Sequence, residues 1–244
     1  MVFMGVIRMK IRDIYLNKTV PVVSIVFALC CILLTVLSGI FMPDSIIFKF
    51  NYPVQNPWQF ITYVFQHYTP QYQIAELPGR LSVSAWELSL GHLAFNLLLV
   101  IPFGILAEKV IGSKKFLIMT VAAWLLDVSF IYVMAALLVP SEATVSSNGA
   151  SGLAFSYMPV GVYILFVLGK KYGFGKLFKQ VSFYFLMPIA ITTIVFALSP
   201  SIAGATTVWS MYVHLIAVAV GIIFAVVFRK TIRGYFDNGE NAKT

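Results

Sequence analysis

Three polar stretches in an otherwise apolar chain contain the residue types that nucleophilic catalysis needs. Ser151 lies in the stretch Gly149-Ala150-Ser151-Gly152, where its hydroxyl could attack a carbonyl carbon. His214 could accept the serine proton as a general base. His92 and Asn96 are four residues apart, which places both on one face of a helix. Both side chains can donate hydrogen bonds to a developing oxyanion.

Each stretch also has a purely structural interpretation. Gly149 and Gly152 permit an unusual backbone and close approach of a substrate, and a helix that begins at Ser151 would offer free N–H groups to an anion. Small residues are equally common where membrane helices pack closely, however. A His–Asn pair can also be a simple interhelical hydrogen bond. The individual motifs therefore leave a packing role and a catalytic role open.

The elements that would position these residues are membrane-spanning helices. The 244 residues are 60% hydrophobic and 11% charged, whereas soluble domains are about 25% charged. A bilayer core needs about 20 apolar helical residues. The sequence predicts an all-α, polytopic membrane protein, a six-helix bundle with spans at 19–42, 88–107, 115–139, 149–169, 182–199 and 205–228.

Basic residues predict how these spans are oriented. A six-span chain places 15 of its 17 Lys and Arg residues on one side, and leaves Lys49 and Arg80 on the other. Positive residues concentrate on the cytoplasmic side. We therefore expect a cell-membrane protein with cytoplasmic tails at 1–18 and 229–244, a membrane domain at 19–228 and a long extracytoplasmic loop at about 43–87. The net charge of +8 then reflects orientation in a bilayer and predicts no nucleic-acid partner.

The predicted orientation brings the polar residues to one side of the membrane. The second, fourth and sixth spans all run inward from the outer side, so His92, Ser151 and His214 should lie in its outer half. Small residues follow two of these side chains: Ala217 and Gly221 come after His214, and Gly152 and Ser156 come after Ser151. Such stripes let helices approach closely, and we expect them to bring the imidazole to the serine.

Five segments in this order resemble the rhomboid family of intramembrane serine proteases. The resemblance covers roughly residues 57–228. It is carried by the first-loop segment 57–67, the motif His92-Leu93-Ala94-Phe95-Asn96, segment 108–113, the motif Gly149-Ala150-Ser151-Gly152, and His214 with Gly221.

The resemblance implies a catalytic Ser151–His214 dyad. His92, Asn96 and the backbone N–H of Ser151 would form the oxyanion hole, and Phe155 would stack on His214 where the family usually has Tyr. Gly149, Gly152, Ala217 and Gly221 would support this site. Substrates would be transmembrane segments of other proteins in the lipid bilayer, cut near their extracytoplasmic ends without a cofactor. The oligomeric state is left open.

The chain departs from the family pattern at a few positions near this site. The first-loop Trp-Arg pair is Trp58-Gln59 here, and the stretch between His67 and His92 is longer. Val213 replaces a small residue, and Ala217 replaces a glycine. These changes affect substrate gating and helix spacing without removing a catalytic group.

Other functions fit fewer residues. A catalytically inactive rhomboid-like protein could bind membrane helices, although such relatives typically lack the serine or histidine that this chain has. A small transporter would need inverted repeats or paired broken helices. Asp127 is a lone carboxyl in the middle of a span, and we expect it to be structural. Three histidines without a His-Glu-x-x-His motif predict no metal site.

Overall fold

The computed structural model describes residues 10–42, 47–68, 85–138, 145–198 and 208–241. These residues are mostly helical, and they also contain two short strands. In chain order the elements are α1 Ile11–Tyr15, α2 Val22–Phe41, β1 Phe50–Tyr52, α3 Gln59–Thr62, α4 Ala85–Ile111, α5 Ser113–Leu138, β2 Val145–Ser147, α6 Ser151–Tyr172, α7 Phe174–Leu177, α8 Val181–Leu198, α9 Val208–Val227 and α10 Arg229–Asn241.

The long helices are those of a multi-pass membrane protein. In the described residues, α2, α4, α5 and α6 are long and apolar enough to cross a bilayer. α9 meets the same criteria together with α10, from which it is separated by a bend of 53°. α8 provides a shorter apolar helix. The predicted all-α, polytopic architecture is confirmed, whereas the count of six spans remains a prediction.

Helix α6 is the centre of the bundle. Most of its residues are buried, and it packs most extensively against α9 and α4. Close packing depends on glycines at both interfaces. A side chain at Gly221 of α9 would collide with the backbone oxygen of Ser156, and one at Gly161 of α6 would collide with Phe103 of α4. Small residues thus let the backbones approach at the interfaces that hold α6.

The first loop is attached to the segment that leads into α6. β1 and β2 pair antiparallel, with Phe50 opposite Ser147 and Tyr52 opposite Val145. The loop also bonds to α5, because Trp124 Nε1 donates to the carbonyl oxygen of Phe60 at 3.1 Å. We call this end of the bundle, which holds residues 47–68 and 145–151, the loop end.

A buried carboxylate organises the opposite end. Glu108, near the end of α4, is fully buried. It accepts hydrogen bonds from the backbone N–H of Val23 at 3.0 Å and from the backbone N–H and hydroxyl of Ser24 at 2.8 and 2.7 Å. These groups begin α2, whose first N–H groups lack helical partners. Glu108 therefore caps α2 and ties it to α4.

We predict that Glu108→Ala lowers the free energy of unfolding by about 3 kcal/mol, because it leaves several buried donors without a partner. Asp237→Ala is the control, since it breaks a 3.1 Å ion pair with Lys171 in which Asp237 is 68% exposed. Exposed pairs are worth less than about 1 kcal/mol. Denaturant unfolding in detergent measures both variants, and equal losses would contradict the capping role.

Candidate active site

Ser151 is the first residue of α6 and is half-buried at the loop end. The residue two positions earlier, Gly149, has a φ of +109°, a conformation that favours glycine. Among the described residues, neither the backbone N–H nor the hydroxyl of Ser151 has a hydrogen-bond partner. The turn therefore presents a hydroxyl together with the free N–H groups of a helix N-terminus.

His92 of α4 lies directly beside this turn. A Cβ atom added at Gly149 would be 2.7 Å from Cε1 and 2.8 Å from Nε2 of His92. Only glycine leaves room for the imidazole, so Gly149 is needed both for its backbone conformation and for this contact. The structure thus places His92 beside the turn that contains Ser151.

Asn96 lies one helical turn after His92 and is 1% exposed. Its Nδ2 donates one hydrogen bond to the carbonyl oxygen of His92, at 2.9 Å. A side-chain amide has a second N–H to donate. The buried Oδ1 has no partner among the described residues. Asn96 is therefore held by its own helix and keeps one N–H available for another acceptor.

His214 of α9 reaches the same region through an aromatic stack. Its ring lies on Phe155 with centroids 4.3 Å apart and an interplanar angle of 10°. Phe155 follows Ser151 by four residues, about one helical turn. No hydrogen bond links Ser151 to His214 in the described part of the chain, and catalytic contacts are often loose before substrate binds.

The described part of α4 begins at Ala85 and that of α9 at Val208. α4 is therefore already helical before its predicted span start at 88, whereas the predicted start of the last span at 205 lies outside the described residues. The shared depth of His92 and His214 in a bilayer stays a prediction.

One of the small residues packs against a different helix from the one predicted. Ala217 is buried and Gly221 lies against Ser156 and Pro159 of α6, as a close α6–α9 contact requires. Gly152 faces another helix. A side chain at Gly152 would collide with the carboxyl of Asp127 on α5. This glycine therefore makes room for α5, and Ser156 and Pro159 make the close contact with α9.

His67 contacts the turn that contains Ser151, and the sequence did not reveal this contact. The backbone N–H of Ala150 donates to its Nε2 at 3.0 Å, and its Nδ1 is 3.1 Å from the carbonyl oxygen of Phe65. Nε2 must be unprotonated to accept this bond, so the imidazole is neutral with its proton on Nδ1. Burial and the nearby His92 hold the pKa of His67 well below its ordinary value.

The neighbours of His67 extend this attachment. Gly149 N donates to the carbonyl oxygen of Tyr63 at 2.8 Å. Asn148 Nδ2 donates to the carbonyl oxygen of Gln66 at 3.1 Å. With the bond from Ala150 to His67, three hydrogen bonds join segment 63–67 to the three residues before Ser151. We call this set of bonds the loop clamp.

The Trp58-Gln59 departure has local contacts. Gln59 is fully buried, and its Oε1 accepts from the backbone N–H groups of Gln55 and Asn56 at 3.3 Å. Trp58 Nε1 donates to the carbonyl oxygen of Ile47 at 3.1 Å. The pair therefore shapes the first loop itself, and within the described residues it makes no hydrogen bond to the Ser151 turn. In the part of the chain that the structure describes, no group of three His, Cys, Asp or Glu is placed to hold a metal ion.

We predict that His67→Phe slows covalent labelling of Ser151 by a fluorophosphonate at least about tenfold. The ring bulk is kept, but a buried N–H is left unpaired, which costs about 1–3 kcal/mol, and a tenfold rate change is about 1.4 kcal/mol. The labelling rate and the unfolding midpoint are measured together in detergent. If His67→Phe is labelled at the wild-type rate, the loop clamp does not position the serine.

We also predict a specific acid sensitivity. Because the folded-state pKa of His67 is depressed, the unfolded chain binds a proton first as the pH falls below about 6.5. The stability that neutral His67 contributes is therefore complete above that pH and is lost progressively below it. The difference in unfolding midpoint between wild type and His67→Phe should shrink as the pH falls from 7.5 to 5. A constant difference would contradict this assignment.

In a comparison with protein families, the chain matches a family model described as the Rhomboid domain over residues 81–231. No curated protein matches the chain. The matched range covers more than half of the 244 residues and contains His92, Asn96, Ser151 and His214. The first-loop segment of the clamp lies before it. The chain belongs to the rhomboid family.

Proposed function

We propose that this protein is an intramembrane serine endopeptidase with a Ser151–His214 dyad. The observation that carries the proposal is the stacking of His214 on Phe155, one helical turn from Ser151, at 4.3 Å between centroids. The stack puts the imidazole of α9 beside the helix that begins with the nucleophile. His92 of α4 lies against Gly149 of the same turn, which supports a site shared by α4, α6 and α9.

The reaction that these groups support is acyl transfer. Ser151 Oγ attacks the scissile carbonyl carbon while His214 removes its proton, and the imidazolium then protonates the leaving amine. A water molecule, activated by the same histidine, hydrolyses the acyl-enzyme. Among the described residues no carboxylate bonds to His214. Stacking on Phe155 orients the ring in place of a third triad residue.

The oxyanion would bind at the N-terminus of α6. The Ser151 N–H is without a partner among the described residues, and the N-terminal helix dipole favours negative charge. His92 lies against the turn, and Asn96 has one N–H not used in its bond to α4. Donors held in advance around a developing charge provide the largest part of many catalytic effects.

The substrate would be a transmembrane segment of another protein. The apolar helices of this chain are surrounded by lipid, so a substrate helix meets them within the bilayer. Its scissile carbonyl must leave the helical hydrogen-bond pattern before Ser151 can attack it. Segments with Gly or Pro near one membrane face unwind most readily. The distribution of basic residues supports cytoplasmic termini in a cell membrane and a site that opens to the extracytoplasmic side.

A second candidate is a rhomboid relative that binds membrane helices without cutting them. The absence of a hydrogen bond between Ser151 and His214 in the described residues favours it. Fluorophosphonate labelling separates the two, because only an activated serine reacts.

We predict that Ser151→Ala and His214→Ala both reduce cleavage of a reconstituted transmembrane substrate to background, since each removes a reacting group of the dyad. Ser156→Ala is the matched control. It deletes another hydroxyl of α6, buried and bonded to the carbonyl oxygen of Leu153 at 2.8 Å, and should keep cleavage and labelling. Full cleavage by Ser151→Ala would refute the proposed function. If the wild-type protein binds the substrate without cleaving it, the second candidate is favoured.

A further inference from the structure

Asp127 is a buried carboxyl close to the nucleophile turn that the proposed dyad does not use. It lies in the middle of α5 and is 6% exposed. A carboxyl group in a membrane-embedded helix is costly, and an apolar side chain would fill the same space at lower cost. Its contacts indicate what this group contributes.

One tyrosine connects Asp127 with the start of the turn. The phenol of Tyr63 donates to Asp127 Oδ2 at 2.8 Å. The main-chain oxygen of the same residue accepts the hydrogen bond from Gly149 N, also at 2.8 Å. Tyr63 is 1% exposed, so both bonds are shielded from water. The position of its main chain, which holds Gly149, is thus linked to the position of its phenol on Asp127.

Asp127 itself lies against the other side of the turn. Its carboxyl occupies the space into which a side chain of Gly152 would project, and all three atoms nearest to that position belong to Asp127. Gly149 and Gly152 flank the dipeptide Ala150-Ser151. The turn is therefore bounded on one side by the Tyr63 carbonyl and on the other by the carboxyl that the same tyrosine binds.

We infer that Tyr63 and Asp127 form a positioning pair that fixes the Gly149–Gly152 turn and thereby places Ser151 for attack, an inference that rests on the proposed function. Asp127 is a positioning residue and not a third member of the dyad. Among the described residues its hydrogen bond goes to Tyr63, and none goes to His214. Misplacing a reacting group by about 1 Å can cost about a hundredfold in rate.

A second buried tyrosine that contacts α5 provides a matched control. Tyr157 of α6 is fully buried, and its phenol oxygen is 3.0 Å from the hydroxyl of Thr120 on α5. Tyr63→Phe and Tyr157→Phe both delete a buried phenol oxygen bonded to α5. They differ in distance from the nucleophile, because Tyr157 lies six residues into α6, about 9 Å from its start.

The experiment measures kcat and KM on a reconstituted transmembrane substrate, and the fluorophosphonate labelling rate, at a temperature where every variant is folded. Tyr63→Phe and Asp127→Leu should lower kcat and the labelling rate at least about tenfold with KM nearly unchanged. Asp127→Asn keeps an acceptor oxygen and should recover most of the wild-type rate. Tyr157→Phe should lower the unfolding temperature without slowing labelling.

Hydrogen exchange of peptides covering residues 145–152 provides a readout that does not need catalysis. Faster exchange in Asp127→Leu, and not in Tyr157→Phe, is expected if the pair holds the turn. The inference is overturned if Asp127→Leu shows wild-type exchange, if it labels at the wild-type rate, if Asp127→Asn is as slow as Asp127→Leu, or if Tyr157→Phe slows labelling as much as Tyr63→Phe. An unlabelled wild type would instead count against the proposed function, and the exchange data would still decide on the pair.

Discussion

The start of α6 lies inside the bundle, and its backbone N–H groups set the requirement that the rest of the loop end meets. The first N–H groups of any helix lack partners in the helix itself. Within a membrane domain, water cannot be relied on to supply them. The protein satisfies the N–H groups of Gly149 and Ala150 with an oxygen of Tyr63 and a nitrogen of His67. The N–H of Ser151 has no partner among the described residues, and it belongs to the proposed oxyanion hole.

This requirement makes the first loop a part of the site. Its residues come before the matched family region and far from Ser151 in sequence, yet they hold the residues immediately before the nucleophile. The loop is in turn anchored to two other helices. His67 N donates to Thr35 of α2 at 3.1 Å, and Trp124 of α5 donates to Phe60. Movement of the loop would therefore be transmitted to the Ser151 turn through these hydrogen bonds.

The sequence predicted the helical segments well, because apolar runs of the length of a bilayer are a strong signal. It also singled out Ser151, His214, His92 and Asn96 from their residue types and spacing. The contact of His67 was not predicted, because no spacing rule relates it to Ala150, which lies 83 residues later.

The contact between Asp127 and Gly152 was equally hidden. A glycine on a small-residue stripe indicates close approach without indicating which helix approaches. The sequence favoured α9, and the structure places α5 there. α4 is already helical at Ala85, before the predicted span start at 88, since the apolar pattern does not mark where a helix begins outside the bilayer.

In the proposed mechanism, two sets of contacts take the roles that one buried carboxylate has in a soluble serine protease. One is the stack of His214 on Phe155, and the other is the hydrogen bond from Tyr63 to Asp127. In those enzymes a buried Asp both orients the histidine and stabilises its positive charge. In the proposed dyad, the flat stack on Phe155 would orient His214 without bringing a charged carboxylate into an apolar interior, where desolvation is expensive. The buried carboxyl that the site does contain, Asp127, is bonded to Tyr63 and lies against the backbone beside Ser151. In the proposed mechanism, orientation of the base and placement of the nucleophile therefore depend on different residues, and each reacting group is positioned by an element other than the helix that carries it.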